Sequence, residues 1–311
     1  MTILEVEGII KSFGSRKAVN DVTFSVQEGE VFGLLGPNGA GKSTTLSIIC
    51  GLLKAGSGNV TIGGWNISKN RSKAKKLIGI VPQEPALYPQ ISAEANLRFW
   101  GTINSLSSKE LESAVKDALV MVGLEDRAKG RVSKFSGGMK RRLNIAAGLI
   151  HSPRLIIMDE PTVGIDPQSR NHILETVKGL KEKGITVIYT SHYVEEVEAL
   201  CDRVAIMDSA RIIAEGTVSE LLKQGEQYQE LTIYLNNCSQ KLQAPVQNLP
   251  GVENTLPLEN KLTIITPDAE KLLPLALDTI ASNDGVVSEI KIHKPNLESL
   301  FLKLTGKTLR N

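Results

Sequence analysis

Over its first two thirds the chain alternates short apolar runs with longer stretches of helical periodicity, a strand-and-helix pattern. Residues 2–7 carry Ile3 and Val6. Residues 21–27 alternate Val22, Phe24 and Val26 with polar neighbours, so both segments are expected to be strands. Residues 31–35, 77–81, 155–158 and 185–190 are almost continuously apolar, as in strands buried on both faces of a parallel sheet. Residues 58–64 read as one more strand between glycine turns. Residues 44–50 carry helical spacing, and residues 87–94 form a loop running into a helix, either a partner-facing surface or a plain connection. Across 107–122, Leu111, Val115, Leu119 and Val122 share one helix face, and Ser107 with Glu110 makes a capping box. Another helix starts at Asp166-Pro167, N-cap followed by first-turn proline, and runs through Ile173, Val177 and Leu180 to Gly184. Beyond about residue 226 the pattern becomes that of a small α+β appendage. Strands are expected at 231–235, 262–265 and 286–292, with helices near 268–282 and 296–305. The appendage reads first as a structural lid, with a regulatory or dimer-contact module as the alternative. The expected domains are therefore residues 1–225 and 226–311.

Chemistry gathers where the apolar runs end. After the 31–35 run comes Gly36-Pro37-Asn38-Gly39-Ala40-Gly41-Lys42-Ser43-Thr44, which fits the phosphate-binding pattern G-x-x-x-x-G-K-[ST] between a strand and a helix. Its glycines let successive N–H groups turn inward, and the helix start adds unpaired donors. Lys42 is expected to reach the β- and γ-phosphates from an open cradle, and the Ser43 hydroxyl to ligate Mg²⁺. The 155–158 run ends in Asp159-Glu160. An Asp there can hold Mg²⁺, and the neighbouring Glu can polarise an attacking water as general base. The 185–190 run ends in Ser191-His192, placing His192 for a γ-phosphate contact, and the 77–81 run leads to Gln83. Ser136-Gly137-Gly138 opens a helix whose bare start can also meet an anion. The basic cluster Lys140-Arg141-Arg142 reads as a solvated helix face rather than a nucleic-acid contact. Phe13 lies in a turn-rich stretch. Its residue type points to the core, with base stacking as the alternative.

Composition narrows this little further. The 311 residues are 41% hydrophobic and 23% charged, a globular balance. The net charge of +2 is too small to argue for nucleic acid or an anionic membrane surface. The three cysteines, Cys50, Cys201 and Cys238, form no metal-binding spacing and are expected to be reduced thiols in a cytosolic protein. No signal peptide and no apolar run of membrane-spanning length is seen, so if the protein works at a membrane, another chain is expected to do the crossing.

The ordered set formed by residues 36–44, Gln83, Ser136-Gly137-Gly138, residues 155–160, Asp166 and His192 resembles the nucleotide-binding subunit of ATP-binding-cassette (ABC) transporters, over roughly residues 1–225. The signature departs from many members in having Met139 where they have Gln. The stretches Gln83–Tyr88, Ser136–Arg142 and Glu160–Pro167, with the ending at residues 297–306, are similar to the drug-resistance exporter group of daunorubicin and linearmycin resistance systems. The resemblance implies an α/β phosphate-loop ATPase with an antiparallel β subdomain and a helical subdomain, followed by the α+β domain. It implies ATP and Mg²⁺ as ligands, with Ser43, Gln83 and Asp159 at the metal, and Phe13 stacked on adenine. Glu160, His192 and Gln83 become catalytic, with Gln83 also sensing the membrane partner. Ser136, Gly137 and Gly138 act in trans on a second subunit's ATP, and Asp166 lies at the interface. The partners implied are a membrane permease and a second nucleotide-binding subunit, identical or paralogous, at the cytoplasmic face of the membrane, with no nucleic acid. A mechanical ATPase acting on DNA or ribosomes is the competing class. The short interval from Gln83 to Ser136 holds no heptads for a coiled-coil insertion, and the chain has one cassette.

Overall fold

The computed structural model of the protein describes residues 1–225, 229–236, 240–293 and 296–306. Two units emerge, Met1–Glu215 and Gly216–Asn311. The division falls earlier than the expected residue 225 because the helix Val218–Gly225 packs against the helix Leu297–Thr305 in the second unit.

In the first unit, Thr2–Phe13 and Arg16–Gln27 form one long antiparallel hairpin, well beyond the two short strands expected. Their pairing slips register between Val6 and Ile9 and between Ile9 and Lys11, and Gly8 and Asp21 take positive φ. Such irregularities break the two-residue alternation by which a strand is recognised in sequence. Ser57–Ile62 pairs on the other side of Thr2–Phe13, and Trp65–Asn66 completes the four-stranded sheet. A six-stranded sheet lies in the order Arg211–Thr217, Arg203–Asp208, Val31–Leu35, Thr186–Ser191, Leu155–Met158, Ile78–Val81. The last four strands are parallel to their neighbours, so their carboxyl ends share one edge. Phe24 of the hairpin stacks on Phe32 of the parallel sheet at 5.1 Å, inside a core that also holds Leu34, Ile157 and Ile188. Burial of these apolar faces drives the two sheets together. A helical layer contains Ala93–Ile103, Ser108–Met121 and Gly137–Leu149. Ser107 and Glu110 form the capping box, and Val115 and Leu119 are buried.

The second unit holds a four-stranded antiparallel sheet in the order Asn254–Leu258, Lys261–Thr266, Gln229–Leu235, Val287–His293. With helices Gln240–Gln247 and Ala269–Ser282 this is strand-helix-strand-strand-helix-strand, the ferredoxin-like arrangement. The sequence reading lacked Gln240–Gln247 and Asn254–Leu258. Each is short and contains a proline, Pro245 and Pro257, which argues against helix interior and strand alike. Among the described residues no helix is long and apolar enough to cross a membrane.

Candidate functional site

Residues 36–41 connect the strand Val31–Leu35 to the helix Lys42–Ile49, whose N-cap is Gly41. Gly41 takes φ +107, and a Cβ there would meet the Ala18 carbonyl at 2.5 Å; at Gly36 it would strike the Met207 carbonyl. The tight wrapping of this loop therefore demands glycine at both places. Lys42 does not stand in an open cradle. It is buried, and its ammonium donates to the carbonyls of Gly36 (2.6 Å) and Pro37 (3.2 Å) and lies 3.3 Å from Glu160 Oε1. A buried ammonium must be paired, and the loop and the carboxylate pair it.

Asp159 and Glu160 follow the strand Leu155–Met158 and are both pinned by Thr190 on the neighbouring strand. The Thr190 hydroxyl accepts the Glu160 N–H (2.8 Å) and donates to Asp159 Oδ1 (2.8 Å). Glu160 is buried at φ 45°, an uncommon conformation for a residue with a side chain. Its Oε2 accepts from Gln83 Nε2 at 3.3 Å, and His192 Nδ1 lies 3.5 Å from Oε1. Lys42 at a helix start, and Gln83 and His192 just beyond two strand ends, come from positions up to 150 apart in the chain and thus converge on one carboxylate. The adjoining cavity, about 410 Å³, is lined by Asn38, Gly39, Gly41, Lys42, Ser43, Thr44, Gln83 and Glu160, with Phe13, Arg16 and Ala18 at the hairpin side. Phe13 is 54% exposed, so the core reading from residue type fails: it sits at the hairpin turn, where the register leaves its ring outside the sheet. Pro37 and Ala40 complete the loop, Ala40 buried and giving its N–H to the Pro37 carbonyl at 3.2 Å.

The second helix start is built differently. Ser136 caps Gly137–Leu149, its hydroxyl accepting the Met139 N–H at 3.2 Å. Ser136 and Gly137 are exposed, and a Cβ on Gly137 would meet only Ile165 Cδ1, at 3.9 Å. Gly138 is buried, and a Cβ there would collide with Ser169 of the helix Pro167–Glu182. Only Gly137 leaves the helix start bare; Gly138 serves the packing of two helices. Asp166 caps Pro167–Glu182, its carboxylate accepting the Ser169 N–H at 2.9 Å, which holds its pKa below the usual carboxylate value.

The basic cluster is not a solvated face. Arg141 is buried and donates to the Pro82 carbonyl at 3.0 Å; Arg142 donates to the carbonyls of Val122 and Gly123. Burial pulls the Arg141 pKa down, opposed by the charge of Asp159. Asn144, one turn on, donates to the Pro82 carbonyl and accepts the Ala86 N–H. The segment carrying Gln83 is therefore gripped from both sides by the helix that Ser136 caps. Thr190, Arg141 and Asn144 were not read as site residues. The available signal was the polar residue at the end of an apolar strand and the polar residues one helical turn apart.

Among the described residues no group of three or more His, Cys, Asp or Glu can hold a metal ion. The donors present are hard oxygens: the Ser43 hydroxyl and the Gln83 amide in the cavity wall, and the carboxylate of Asp159, which precedes the wall residue Glu160 in the chain and accepts from Thr190. That set suits Mg²⁺ shared with a ligand's phosphates, and does not suit a resident ion held by protein alone. Cys50 and Cys201 are free and buried, and burial raises both thiol pKa values; Cys238 lies outside the described residues.

A family described as ABC transporter matches residues 19–163. The chain is 49% identical to the linearmycin resistance ATP-binding protein of Bacillus subtilis (strain 168), over 99% of this chain and all of that protein. It is 38% identical to a Nod factor export ATP-binding protein I of Cupriavidus pinatubonensis (strain JMP 134 / LMG 1197), over 99% of this chain and 92% of that one. Among solved structures it is similar to a dimeric ATP-binding cassette in a post-hydrolysis state bound to ADP and Pi. That likeness has a TM-score of 0.63 and 27% identity, over 69% of this chain and 98% of the cassette.

Proposed function

The chain belongs to the ABC transporter family as an ATP-hydrolysing subunit, and from that premise we propose that it powers export of a drug, antibiotic or lipid-like compound through a separate membrane permease. The names of the relatives support export: one is a linearmycin resistance ATP-binding protein and another a Nod factor export ATP-binding protein. The observation that carries the catalytic reading is the convergence of Lys42, Gln83 and His192 on Glu160 beside the glycine loop.

In this reading residues 36–44 wrap the phosphates, and Lys42 exchanges Glu160 for the β- and γ-phosphates. Phe13 stacks on the adenine from the hairpin side of the cavity. Glu160 accepts a proton from the attacking water, His192 and Gln83 orient that carboxylate, and His192 contacts the γ-phosphate. Ser43, Gln83 and Asp159 would hold Mg²⁺, which would supply charge neutralisation on the phosphates. Ser136, Gly137 and Gly138 face the ATP of a second subunit, identical or paralogous, with Asp166 at that interface.

The permease contact is assigned to a cavity of about 370 Å³ lined by Leu52, Pro82, Ala86, Trp100, Ile103 and Asn144, among others. Leu52 and Ile103 are exposed at its rim, and Pro82 and Ala86 flank Gln83, so a helix of the permease seated there would press on the segment that touches Glu160. The subunit would then sit peripherally at the cytoplasmic face of the membrane. The class of mechanical ATPases on nucleic acid or ribosomes is not favoured. Arg141 and Arg142, which would have served nucleic acid, are committed to backbone carbonyls.

Affinity purification from detergent-solubilised membranes tests the assignment. A polytopic membrane protein should co-purify with the wild type and be lost with Ile103→Asp, while the ATPase activity of the isolated subunit persists. Recovery of no membrane protein by the wild type would overturn the transporter reading.

A further inference from the structure

Glu196 lies outside the nucleotide cavity, yet it is among the most heavily bonded carboxylates of the first unit. Its side chain is fully buried. Oε2 accepts three hydroxyls: Thr162 (2.9 Å), Tyr189 (2.8 Å) and Ser191 (2.9 Å). Oε1 pairs with Arg170 Nε at 2.6 Å, and the Arg170 guanidinium lies over the Tyr193 ring at 4.8 Å. Burial, with the Glu196 charge beside it, holds the Tyr189 phenol well above its ordinary pKa, so it remains a donor.

Two of these partners, Thr162 and Ser191, stand within two residues of Glu160 and His192. Thr162 follows Glu160 by two residues and opens the loop that ends at Asp166. Ser191 immediately precedes His192 and also accepts the Tyr193 N–H at 2.9 Å, closing the turn that carries the histidine. Arg170 is in the first turns of the helix that Asp166 caps. The loop itself is short and internally tied, Val163 N–H to the Glu160 carbonyl and Ile165 N–H to the Thr162 carbonyl. Its tip is exposed, with Gly164 at φ +70.

A carboxylate taken out of water costs several kcal/mol unless it is fully paired, and replacing it by an apolar side chain would be the simpler way to build a core. Its retention with four partners from three segments needs a use. We propose that Glu196 is a positioning residue for ATP hydrolysis, which locks the loop after Glu160 to the turn carrying His192 so that the base and the histidine hold one geometry. It does not touch the nucleotide, so it serves turnover and not binding. This rests on the assignment of Glu160 and His192 given above.

The test measures kcat and KM for ATP, nucleotide affinity by calorimetry, and thermal stability for Glu196→Gln, Thr162→Val, Arg170→Lys and Glu160→Gln. Thr162→Val removes one hydroxyl with little change of shape and keeps the experiment decisive if Glu196→Gln folds poorly. Thr162→Val should lower kcat about tenfold, the scale of one lost hydrogen bond to a charged acceptor, with KM and ATP affinity within about twofold of wild type. Glu196→Gln should lower kcat further, and Arg170→Lys, which keeps the charge, should retain most of it. A merely structural role would instead move melting temperature without separating kcat from KM. The proposal is overturned if Thr162→Val turns over at the wild-type rate, or if kcat across the series only follows the loss of stability. Near-normal turnover in Glu160→Gln would count instead against the assignment of the base.

Discussion

Two glycine-led helix starts, both suited to an anion, differ in everything around them. The one at Lys42 is closed on itself. Its lysine is buried, bonded to the loop's own carbonyls, and paired with Glu160 3.3 Å away. The one at Ser136 opens outward: Ser136 and Gly137 are exposed, and the space above Gly137 is limited only by Ile165. The first has Lys42, Glu160, Gln83 and His192 assembled around it; the second offers backbone N–H groups and a capping hydroxyl, with the Asp166 carboxylate near Gly138. A helix start without its own chemistry completes a site only by meeting chemistry from elsewhere. The difference fits the proposal of a nucleotide shared between two subunits.

The largest expected effect falls on the closed start. Glu160→Gln should cut steady-state hydrolysis by about 10² to 10⁴-fold, the scale of a general base, with ATP binding retained. Turnover near the wild-type rate would remove Glu160 from the role proposed for it. Lys42→Ala comes next and should act twice. It removes the phosphate contact, and it leaves Glu160 buried without its cation, at a cost of about 3 kcal/mol in stability. The double variant Lys42→Ala with Glu160→Gln should recover much of that stability in denaturant titrations while ATP affinity stays low. Additive losses would mean that the ion pair does not couple the two groups.

At the open start the two glycines should part company. Gly138→Ala meets Ser169 and should lose about 1–3 kcal/mol of stability by overpacking. Gly137→Ala should be neutral or slightly stabilising, because Ala is the better helix former and the space is free. Equal effects at both positions would erase the distinction drawn between them.

The smallest effect is expected at the far end of that helix. His151 is partly buried with Nε2 3.0 Å from the Ile78 carbonyl, and burial lowers its pKa below the usual 6.5. The unfolded chain therefore takes up the proton first as pH falls. This contribution to stability is whole above about pH 6.5, declines below it, and stops declining once pH passes beneath the folded value. The wild type should lose more melting temperature between about pH 7.5 and 5.5 than His151→Gln does; identical slopes would contradict the buried, neutral histidine.

The sequence makes the closed start almost fully legible. A glycine loop, Asp159-Glu160, Gln83 and His192 each follow an apolar run, and parallel strands bring such ends to one edge. Less legible are residues whose function depends on a neighbour distant in sequence. Thr190 reads as one more strand residue until pairing sets it beside Asp159. Arg141 reads as surface charge until the helix is laid against Pro82. Phe13 reads as core until the hairpin register leaves it at the turn. Gly137 and Gly138 are indistinguishable as letters, and only the proximity of Ser169 separates them. The second unit is hardest, because its short elements carry prolines that argue against the structure they adopt.

The division between a self-contained helix start and an exposed one is tested most directly by sedimentation in a hydrolysis-blocked background. Glu160→Gln with Mg-ATP should sediment as a dimer. Adding Gly137→Asp places a carboxylate where phosphate from the second subunit would sit, in space that accepts a side chain without disturbing the fold. The combined variant should bind ATP by calorimetry yet remain a monomer. If it dimerises as readily as Glu160→Gln alone, the open helix start does not meet the partner's nucleotide, and the shared site proposed here is wrong.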